Sequence, residues 1–396
     1  MGKEIELSTA ITDIAAGPFG SNLKVECFVP SGFPIIDGAN LKGYKVTDNI
    51  TKFVTEEKAR SLSRSIAHRG DVIVTISGTI GQIAYIPEDS LYDEYLCSQR
   101  QFRVSFDSSM VYVPYLVFYF HTFEGQNKIL SFANQTGVPA LSQPLKNFKK
   151  IRLCLPSLQE QRRIASIVET INDKIENNIK INDNLQQQAF SVFDNLIANA
   201  ENNDYTVSDY AFLNPKRTLA KNQVARSIDM SQLSTSGAFP SGWEMKPFNG
   251  GMRFTNGDTL LARITPCLEN GKTAFIDFLD DGEVAFGSTE YIVLAPKNDT
   301  PPEMLYCLAR YPAFVDYAVK NMNGSSGRQR VSAETVEQYR LPLFDKHSLV
   351  LFKEVVSPMF LKMRYNSLEN MRLAELRDAL LPKLMSGEID VSAVQL

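Results

Sequence analysis

One short pattern occurs twice in this chain and limits the folds that the chain can adopt. RGDVIVTISGTIGQIAYIPED begins at Arg69, and NGDTLLARITPCLENGKTAFID begins at Asn256. Each copy has a Gly-Asp pair, an apolar stretch, a loop that contains glycine, and a second apolar stretch. Short apolar stretches bounded by turn residues are typical of strands, so each copy predicts a hairpin. Because self-similarity at a long period indicates a repeated structural unit, we expect two related halves.

The repeat extends beyond the Gly-Asp pattern. In each half a strand-like stretch follows, then an apolar helix-like stretch, a polar loop with glycine, and a short strand. These segments are 98–106, 113–122, 134–143 and 151–156 in the first half, and 287–296, 301–311, 321–334 and 339–343 in the second. The order is the same in both halves, which favours a duplication of one mixed domain, each with a twisted, partly antiparallel sheet and a few helices.

A long helical pattern closes each half. Seam residues from Ile164 to Leu196 recur at alternating steps of four and three, which is a heptad repeat. The same rhythm begins again at Phe352, 188 positions later (352 − 164 = 188). Asparagine at a seam position lowers stability but fixes register and partner choice. Each seam contains two asparagines, which are Asn178 and Asn182 in the first and Asn366 and Asn370 in the second.

These shared features predict two helices packed on each other as an antiparallel coiled coil. The first is expected from about Leu158 to Ala198, roughly 60 Å at 1.5 Å per residue. Pro358 lies inside the second pattern and removes a helical hydrogen bond, so a kink or a restart is expected there with Ser357 as the N-cap. The alternative is two unrelated amphipathic helices, each lying on its own domain.

The overall composition is that of a globular chain of more than one domain, with 396 residues of which 44% are hydrophobic. No apolar run reaches the roughly 18–20 residues that cross a bilayer, and Glu4 and Glu6 stand where a signal peptide is apolar. We therefore expect a cytoplasmic protein with no membrane partner. Five dispersed cysteines and three dispersed histidines favour reduced thiols and no metal site.

Catalytic motifs are missing from the sequence. It has no P-loop, no GxGxxG motif, and no zinc-protease, hydrolase or kinase signature. NPKR at 214–217 lacks the second proline and the aromatic residue of an amino-methyltransferase, and DDGE at 280–283 is expected to be a turn. The net charge of −4 leaves nucleic acid open as a partner, because local patches set binding and six basic residues crowd 146–163. The sequence favours a binding protein.

Three stretches resemble the specificity subunits of type I restriction-modification systems. They are AGPFGSNLK at 16–24, LPSLQEQRRIASIVETIND at 155–173 and LRDALLPKLMSGEIDV at 376–391. The duplicated layout is also similar, since in that family each repeat is a target recognition domain followed by a helix of a central coiled coil. One departure is LPLFDKHSLVLF at 341–352, which lacks the Gln-Glu-Gln-Arg-Arg run of the first half.

The resemblance implies an α+β fold with two similar target recognition domains, a long antiparallel two-helix coiled coil separating them, and a pseudo-twofold internal repeat. The expected boundaries are 1–156 for the first recognition domain, 157–200 for the first helix, 201–343 for the second recognition domain, and 344–396 for the second helix and the tail.

The resemblance also implies a non-catalytic subunit. Each domain would read one half of a bipartite site in double-stranded DNA, while the coiled coil sets the spacer and docks two methyltransferase subunits. S-adenosylmethionine and ATP are expected on partner subunits, with restriction subunits as further partners in that family. No cofactor is expected on this chain.

Polar and basic residues in glycine-bearing loops are the candidates for DNA contact. Arg and Lys suit guanine, Asn and Gln suit adenine, and glycine lets the backbone approach a phosphate or base closely. The candidates are Gly20, Ser21, Asn22, Lys24, Ser77, Thr79, Gln82, Arg100, Gln135, Thr136 and Ser142 in the first half, and Arg263, Thr265, Asn270, Lys272, Ser325, Ser326, Arg328 and Arg330 in the second. The alternative is ordinary exposed loops. Phe19 has two interpretations, as part of a DNA-contacting turn or as a residue that fills the domain core.

Three functions are left to distinguish. A DNA specificity subunit is favoured by the paired polar loops with Arg328 and Arg330. A non-catalytic scaffold, with two protein-binding domains on a coiled-coil rod, suits the negative net charge. A self-contained methyltransferase is disfavoured by the missing signature.

Overall fold

The fold is seen in a computed structural model, which describes residues 2–134, 137–200, 204–325 and 327–394. They form two compact units, unit 1 (Met1–Ile171 with Glu375–Leu396) and unit 2 (Asn172–Ala374). Each unit has its own large apolar core. Within the described ranges no helix combines the length and the hydropathy needed to cross a membrane.

Unit 1 is built on two sheets. Its strands are β1 (Lys3–Glu6), β2 (Ile11–Ala16), β3 (Phe28–Val29), β4 (Phe33–Ile36), β5 (Phe53–Val54), β6 (Ile66–His68), β7 (Val72–Thr75), β8 (Ile83–Tyr85), β9 (Glu94–Cys97), β10 (Gln101–Phe106), β11 (Ala133–Asn134), β12 (Ala140–Leu141) and β13 (Arg152–Leu155). An antiparallel sheet has the order β2-β10-β7-β8, and a mixed sheet has the order β3-β5-β4-β9-β6 with β4 parallel to β9. β1 pairs with β13, and β11 pairs with β12.

Four short helices complete the recognition part of unit 1: α1 (Glu56–Ser61), α2 (Val113–His121), α3 (Phe123–Leu130) and α4 (Pro144–Lys149). α2 is apolar around its whole circumference and is buried from Pro114 to Phe120. A helix of that kind belongs inside a core, and its residues share one apolar cluster with β7, β8 and β10. α2 therefore backs the hairpin that the Gly-Asp pattern predicts.

Unit 2 repeats this construction. Its strands are β14 (Tyr205–Thr206), β15 (Ala211–Leu213), β16 (Val224–Ile228), β17 (Glu244–Pro247), β18 (Met252–Phe254), β19 (Thr259–Ala262), β20 (Thr273–Phe275), β21 (Ala285–Gly287), β22 (Tyr291–Pro296) and β23 (Arg340–Leu341). Its short helices are α6 (Val207–Tyr210), α7 (Pro302–Arg310), α8 (Pro312–Lys320) and α9 (Ala333–Glu337).

The sheet topology shows that the two halves have the same fold. The order β15-β22-β19-β20 in unit 2 matches β2-β10-β7-β8 in unit 1. The order β17-β16-β21-β18, with β16 parallel to β21, matches β5-β4-β9-β6. The pair β14-β23 matches β1-β13. The predicted duplication of a mixed domain is confirmed, although each copy has two sheets and not one.

The Gly-Asp pair has the same structural task in both copies. Gly70 and Gly257 have φ values of +83° and +88°, which favour glycine. Asp71 and Asp258 are buried, and each accepts a hydrogen bond from the backbone N–H three residues earlier, at 2.9 Å and 2.8 Å. The pair closes a tight turn and starts the hairpin β7-β8 or β19-β20.

Two helices of 41 residues, α5 (Leu158–Ala198) and α10 (Lys346–Ser386), pack against each other. In unit 2, Asn178 Nδ2 donates to Asn370 Oδ1 at 2.8 Å, and Asn366 Nδ2 donates to Asn182 Oδ1 at 2.8 Å. Residue numbers rise along one helix as they fall along the other, so the pair is antiparallel. All four predicted seam asparagines meet in pairs.

Unit 1 contains the other ends of these helices. Ile164 and Val168 of α5 share an apolar cluster with Leu381 and Leu384 of α10, and Val391 from the tail after α10 joins it. All five side chains are buried. The two helices therefore close over apolar residues in this unit too, with Leu381 and Leu384 buried and the predicted seam residue Leu380 partly buried.

The expectation for Pro358 is wrong. α10 is continuous from Lys346 to Ser386, so Ser357 lies inside the helix and is not an N-cap. Its buried hydroxyl has no hydrogen-bond partner among the described residues. Val356 and Phe360, on either side, are fully buried in the unit 2 core. Tertiary packing of this face outweighs the hydrogen bond that proline removes.

Candidate nucleic-acid interface

Three loops of unit 1 that are distant in sequence meet at one place. They are residues 17–24 after β2, residues 76–82 between β7 and β8, and residues 98–100 before β10. Together they border a cavity of about 600 Å³. Four candidate residues line it: Ser77, Thr79, Gln82 and Arg100. The side chains that the sequence analysis selected in separate segments are thus neighbours.

The loop that contains GPFGS is braced by the loop before β10. Gly17 N donates to Gln101 O at 2.8 Å, and a Cβ on Gly17 would lie 1.8 Å from Ser98 O, so only glycine fits there. Gln99 Nε2 donates to Gly20 O at 3.2 Å. These contacts hold Ser21, Asn22 and Lys24 on an ordered, exposed loop.

Phe19 does not fill the core. Its side chain is 82% exposed, whereas Pro18 and Leu23 of the same loop are buried. Asn22 N donates to Phe19 O at 2.8 Å, so the turn itself presents the ring to solvent. The core-filling interpretation is therefore wrong, because its neighbours supply the apolar anchors.

The polar loop after α3 lies beside the β7-β8 hairpin. Gly78 N donates to Pro139 O at 2.9 Å, and Leu141 N donates to Ile76 O at 2.8 Å. Ser142, at the far side of this loop, is exposed. The candidates Gln135 and Thr136 lie outside the described residues.

Unit 2 brings the corresponding loops together. Val331 N donates to Arg263 O at 3.0 Å, and Thr265 N donates to Gln329 O at 3.1 Å. The loop after α8 is therefore tied to the β19-β20 hairpin, as its counterpart is in unit 1. Arg328 and Ser325 are exposed in this loop. Ser326 lies outside the described residues.

Gln82 and Lys272 are candidate side chains whose polar groups bind other parts of the fold. Gln82 Oε1 accepts from Thr75 Oγ1 at 3.1 Å, and Gln82 Nε2 donates to Gly38 O at 3.0 Å. Lys272 Nζ donates to Met230 O at 2.7 Å. Their positions in the loops were predicted, but in this state both side chains brace backbone. Asn270, two residues before Lys272, is exposed.

A carboxylate that the sequence analysis missed lies among the arginines of unit 2. Glu290, just before β22, accepts from Arg330 Nη2 at 2.7 Å and from Arg330 Nε at 2.9 Å. Arg263 Nε is 4.0 Å from the same carboxylate. The contact with Arg330 lowers the pKa of Glu290, so this group is ionised at neutral pH.

The DDGE segment forms a turn between β20 and β21, as expected. Asp280 and Glu283 bind Arg226 at 3.0 Å and 3.1 Å, which gives these acids a structural role. In the part of the chain that the structure describes, no group of three or more His, Cys, Asp or Glu residues could hold a metal ion.

Comparisons with known proteins show similarity to one family. The model of the type I restriction modification DNA specificity domain matches residues 29–187. The MjaIX specificity subunit of a type I restriction enzyme from Methanocaldococcus jannaschii is 21% identical, over 96% of this chain and 92% of that protein. The HindI specificity subunit from Haemophilus influenzae is 22% identical, over 78% and 84%. The chain is thus similar to type I specificity subunits over most of its length, and residues 29–187 match their DNA specificity domain.

The fold is also similar to that of a solved structure. A type I restriction-modification S subunit from M. genitalium superimposes with a TM-score of 0.60, covering 97% of this chain and 96% of that chain at 14% identity. The chain therefore shares its architecture with that solved structure at low sequence identity.

The two units of this chain place different residues at one equivalent position. Ile76 N donates to Arg100 O in unit 1, and Arg263 N donates to Glu290 O in unit 2, so Arg100 and Glu290 correspond. The next residue of each hairpin forms an isolated bridge, to Ala140 in unit 1 and to Arg330 in unit 2. Unit 1 thus places Arg100 at the junction of hairpin and polar loop, whereas unit 2 places Arg330 there from the polar loop, beside Arg263 of the hairpin.

Proposed function

We propose that this chain recognises DNA for a type I restriction-modification complex, with each duplicated domain reading one half of a bipartite double-stranded site. The recognition domains would be 1–156 and 201–343, with helices and tail at 157–200 and 344–396. The observation that carries the proposal is the repeated loop cluster with an arginine at the same junction, Arg100 in one unit and Arg330 in the other. Arginine is the side chain that most often reads guanine.

We further propose that the chain contributes no chemistry of its own. Two methyltransferase subunits would dock on the paired helices and would hold S-adenosylmethionine. ATP would belong to restriction subunits where these are present, and the assembly would be cytoplasmic. Support comes from the missing catalytic motifs in the sequence and from relatives whose names describe them as specificity subunits.

Selection from a duplex library tests the proposal. The full chain, alone and with its methyltransferase subunits, is incubated with double-stranded DNA that has a long randomised centre, and bound duplexes are sequenced. We expect two short conserved blocks separated by an unspecified spacer of fixed length. Binding of the selected duplex should weaken steeply as salt rises, because phosphate contacts release counterions.

The alternative of a protein scaffold predicts a different outcome. Without DNA recognition, neither preparation would enrich a motif, although the chain would still bind its protein partners. One block instead of two would contradict the assignment of one half-site to each domain.

A further inference from the structure

The guanidinium of Arg330 is held on two of its three hydrogen-bonding edges. On one edge, Nε and Nη2 donate to the Glu290 carboxylate at 2.9 Å and 2.7 Å. On another, Nη1 donates to the backbone carbonyl of Arg328 at 2.9 Å. A planar group held from two sides has a fixed orientation, which a single contact would not provide.

One edge of this guanidinium is left over. Arginine has five N–H donors, and the contacts with Glu290 and Arg328 use one on Nε, one on Nη2 and one on Nη1. The other two, one on Nη1 and one on Nη2, are called the free fork here and have no partner among the described residues. The side chain is 37% exposed, so the fork is accessible to a ligand.

The free fork has the geometry of a guanine reader. Two parallel N–H donors match O6 and N7 on the major-groove edge of guanine, and only that base offers two acceptors there. We propose that Glu290 is a positioning residue that aims Arg330 at a guanine in the half-site read by unit 2. This inference rests on the proposed function.

A carboxylate at a DNA-facing position needs a reason, because it repels phosphate. Glu290 contacts Arg330 closely and lies 4.0 Å from Arg263 Nε, so the three groups together carry a charge of +1. The negative charge of Glu290 therefore reduces the attraction of this surface for DNA of any sequence. The same carboxylate fixes the direction of the Arg330 guanidinium. That combination favours specificity over affinity.

Arg328 has a different role in this arrangement. Its side chain is exposed and has no hydrogen-bond or ion-pair partner among the described residues. A mobile, unpaired cation suits a phosphate, which accepts from any direction. Arg328 should therefore contribute affinity at every sequence, and Arg330 should contribute discrimination at one base pair.

The test compares variants of the full chain on the duplex selected by the wild type. Each duplex in a series replaces one G·C pair of the unit 2 half-site with A·T, and affinity is measured by fluorescence anisotropy. For the wild type one such change should weaken binding roughly 5- to 100-fold. For the Glu290→Gln variant, the ratio of the affinity for the selected duplex to the affinity for the substituted duplex should fall towards one. Its binding to an unrelated duplex should be equal to that of the wild type or tighter. Arg330→Lys keeps the charge but loses the fork, and it should also lose the ratio.

Controls separate positioning from charge and from folding. Glu283→Gln removes the same charge from the Arg226 pair and should keep the ratio. Arg328→Ala should weaken binding to cognate and unrelated duplexes by the same factor. A wild-type ratio retained in both Glu290→Gln and Arg330→Lys would overturn the inference. If the wild type selects no motif at all, it is the proposed function that fails.

Discussion

At the scale of the residue, one ion pair of unit 2 combines burial with an unsatisfied hydrogen-bond donor. Arg217 Nη2 donates to Asp258 Oδ1 at 2.6 Å, and Asp258 is 1% exposed. Burial raises the pKa of Asp258 to about 6, although the contact with Arg217 opposes the shift. Arg217 Nη1 is buried without a partner among the described residues. The pair is therefore incompletely compensated, and breaking it should have a measurable cost.

Asp258 should make unit 2 less stable as pH rises from about 4 to above 6. The unfolded chain releases this proton near an ordinary pKa of about 3.9, whereas the folded chain retains it until about 6, so folding favours the protonated form. The sign is opposite to that of a carboxylate whose pKa is lowered. Relative to Asp258→Asn, the wild type should lose about 2 kcal/mol of unfolding free energy across this range. Urea unfolding of both proteins at pH 4 and pH 7 measures this loss. A difference in unfolding free energy between wild type and variant that is the same at both pH values would contradict the prediction.

Phe19→Ala should leave stability nearly unchanged. The ring is 82% exposed, so its removal should alter the unfolding free energy by about 0.5 kcal/mol or less. Phe102, which is fully buried in unit 1, is the matched control, and Phe102→Ala should cost about 3–5 kcal/mol. Thermal unfolding compares the two, and a similar loss for both would restore the core-filling interpretation.

Residue types and loop positions could be predicted from the sequence, but hydrogen-bond partners could not. The loop with Arg330 was selected because glycine and polar residues occur together there, and Arg100 was selected as a basic residue in SQRQ at 98–101. Glu290 was missed because its role depends on Arg330, forty positions later (330 − 290 = 40), and no local pattern links them. Gln82 was selected although its amide binds Thr75 and Gly38.

At the scale of the element, the helix pair contains polar groups at its centre. Asn178 and Asn366 are buried, and the Oδ1 atom of each has no partner among the described residues. A buried acceptor without a donor costs free energy. The seam is therefore less stable than an apolar seam would be, but its register is fixed.

Replacing Asn182 and Asn366 together with leucine should raise thermal stability and weaken the register. The pair shares one hydrogen bond at 2.8 Å, and leucine at both positions removes the unpaired oxygen of Asn366. Asn366→Leu alone should gain less, because Asn182 then loses its donor. A double-mutant cycle on the melting temperature measures the coupling, and additive single effects would argue against it.

Long periodic elements were easier to predict than short ones. The heptad pattern predicted the ends of α5 and the pairing of all four asparagines, because the same spacing of seam residues recurs over dozens of positions. The second sheet of each unit was not expected, since strands of two to five residues such as β3 and β17 carry too few alternations to be distinguished from loops. The prediction of a kink or restart at Pro358 was wrong because only tertiary packing shows that the helix continues.

At the scale of the whole molecule, the duplicated fold and the proposed function predict that helix length sets spacer length. One heptad inserted at matching levels, next to Ile175 in α5 and Leu373 in α10, preserves the seam. It adds roughly 10 Å, the rise of about three base pairs. Library selection should then return the same two half-sites with a longer spacer. A spacer of unchanged length would show that the helices do not act as the ruler.

The exchange between Arg100 and Glu290 also constrains how new specificities arise. Converting one pattern into the other takes three substitutions, because Ile76 and Arg263, Arg100 and Glu290, and Ala140 and Arg330 occupy equivalent positions. After only one of them, unit 1 has either two arginines at this junction or a carboxylate without an arginine. Under the proposed function such intermediates would recognise DNA poorly, so point mutation is an inefficient route between these two patterns. Exchange of an entire domain by recombination bypasses those intermediates.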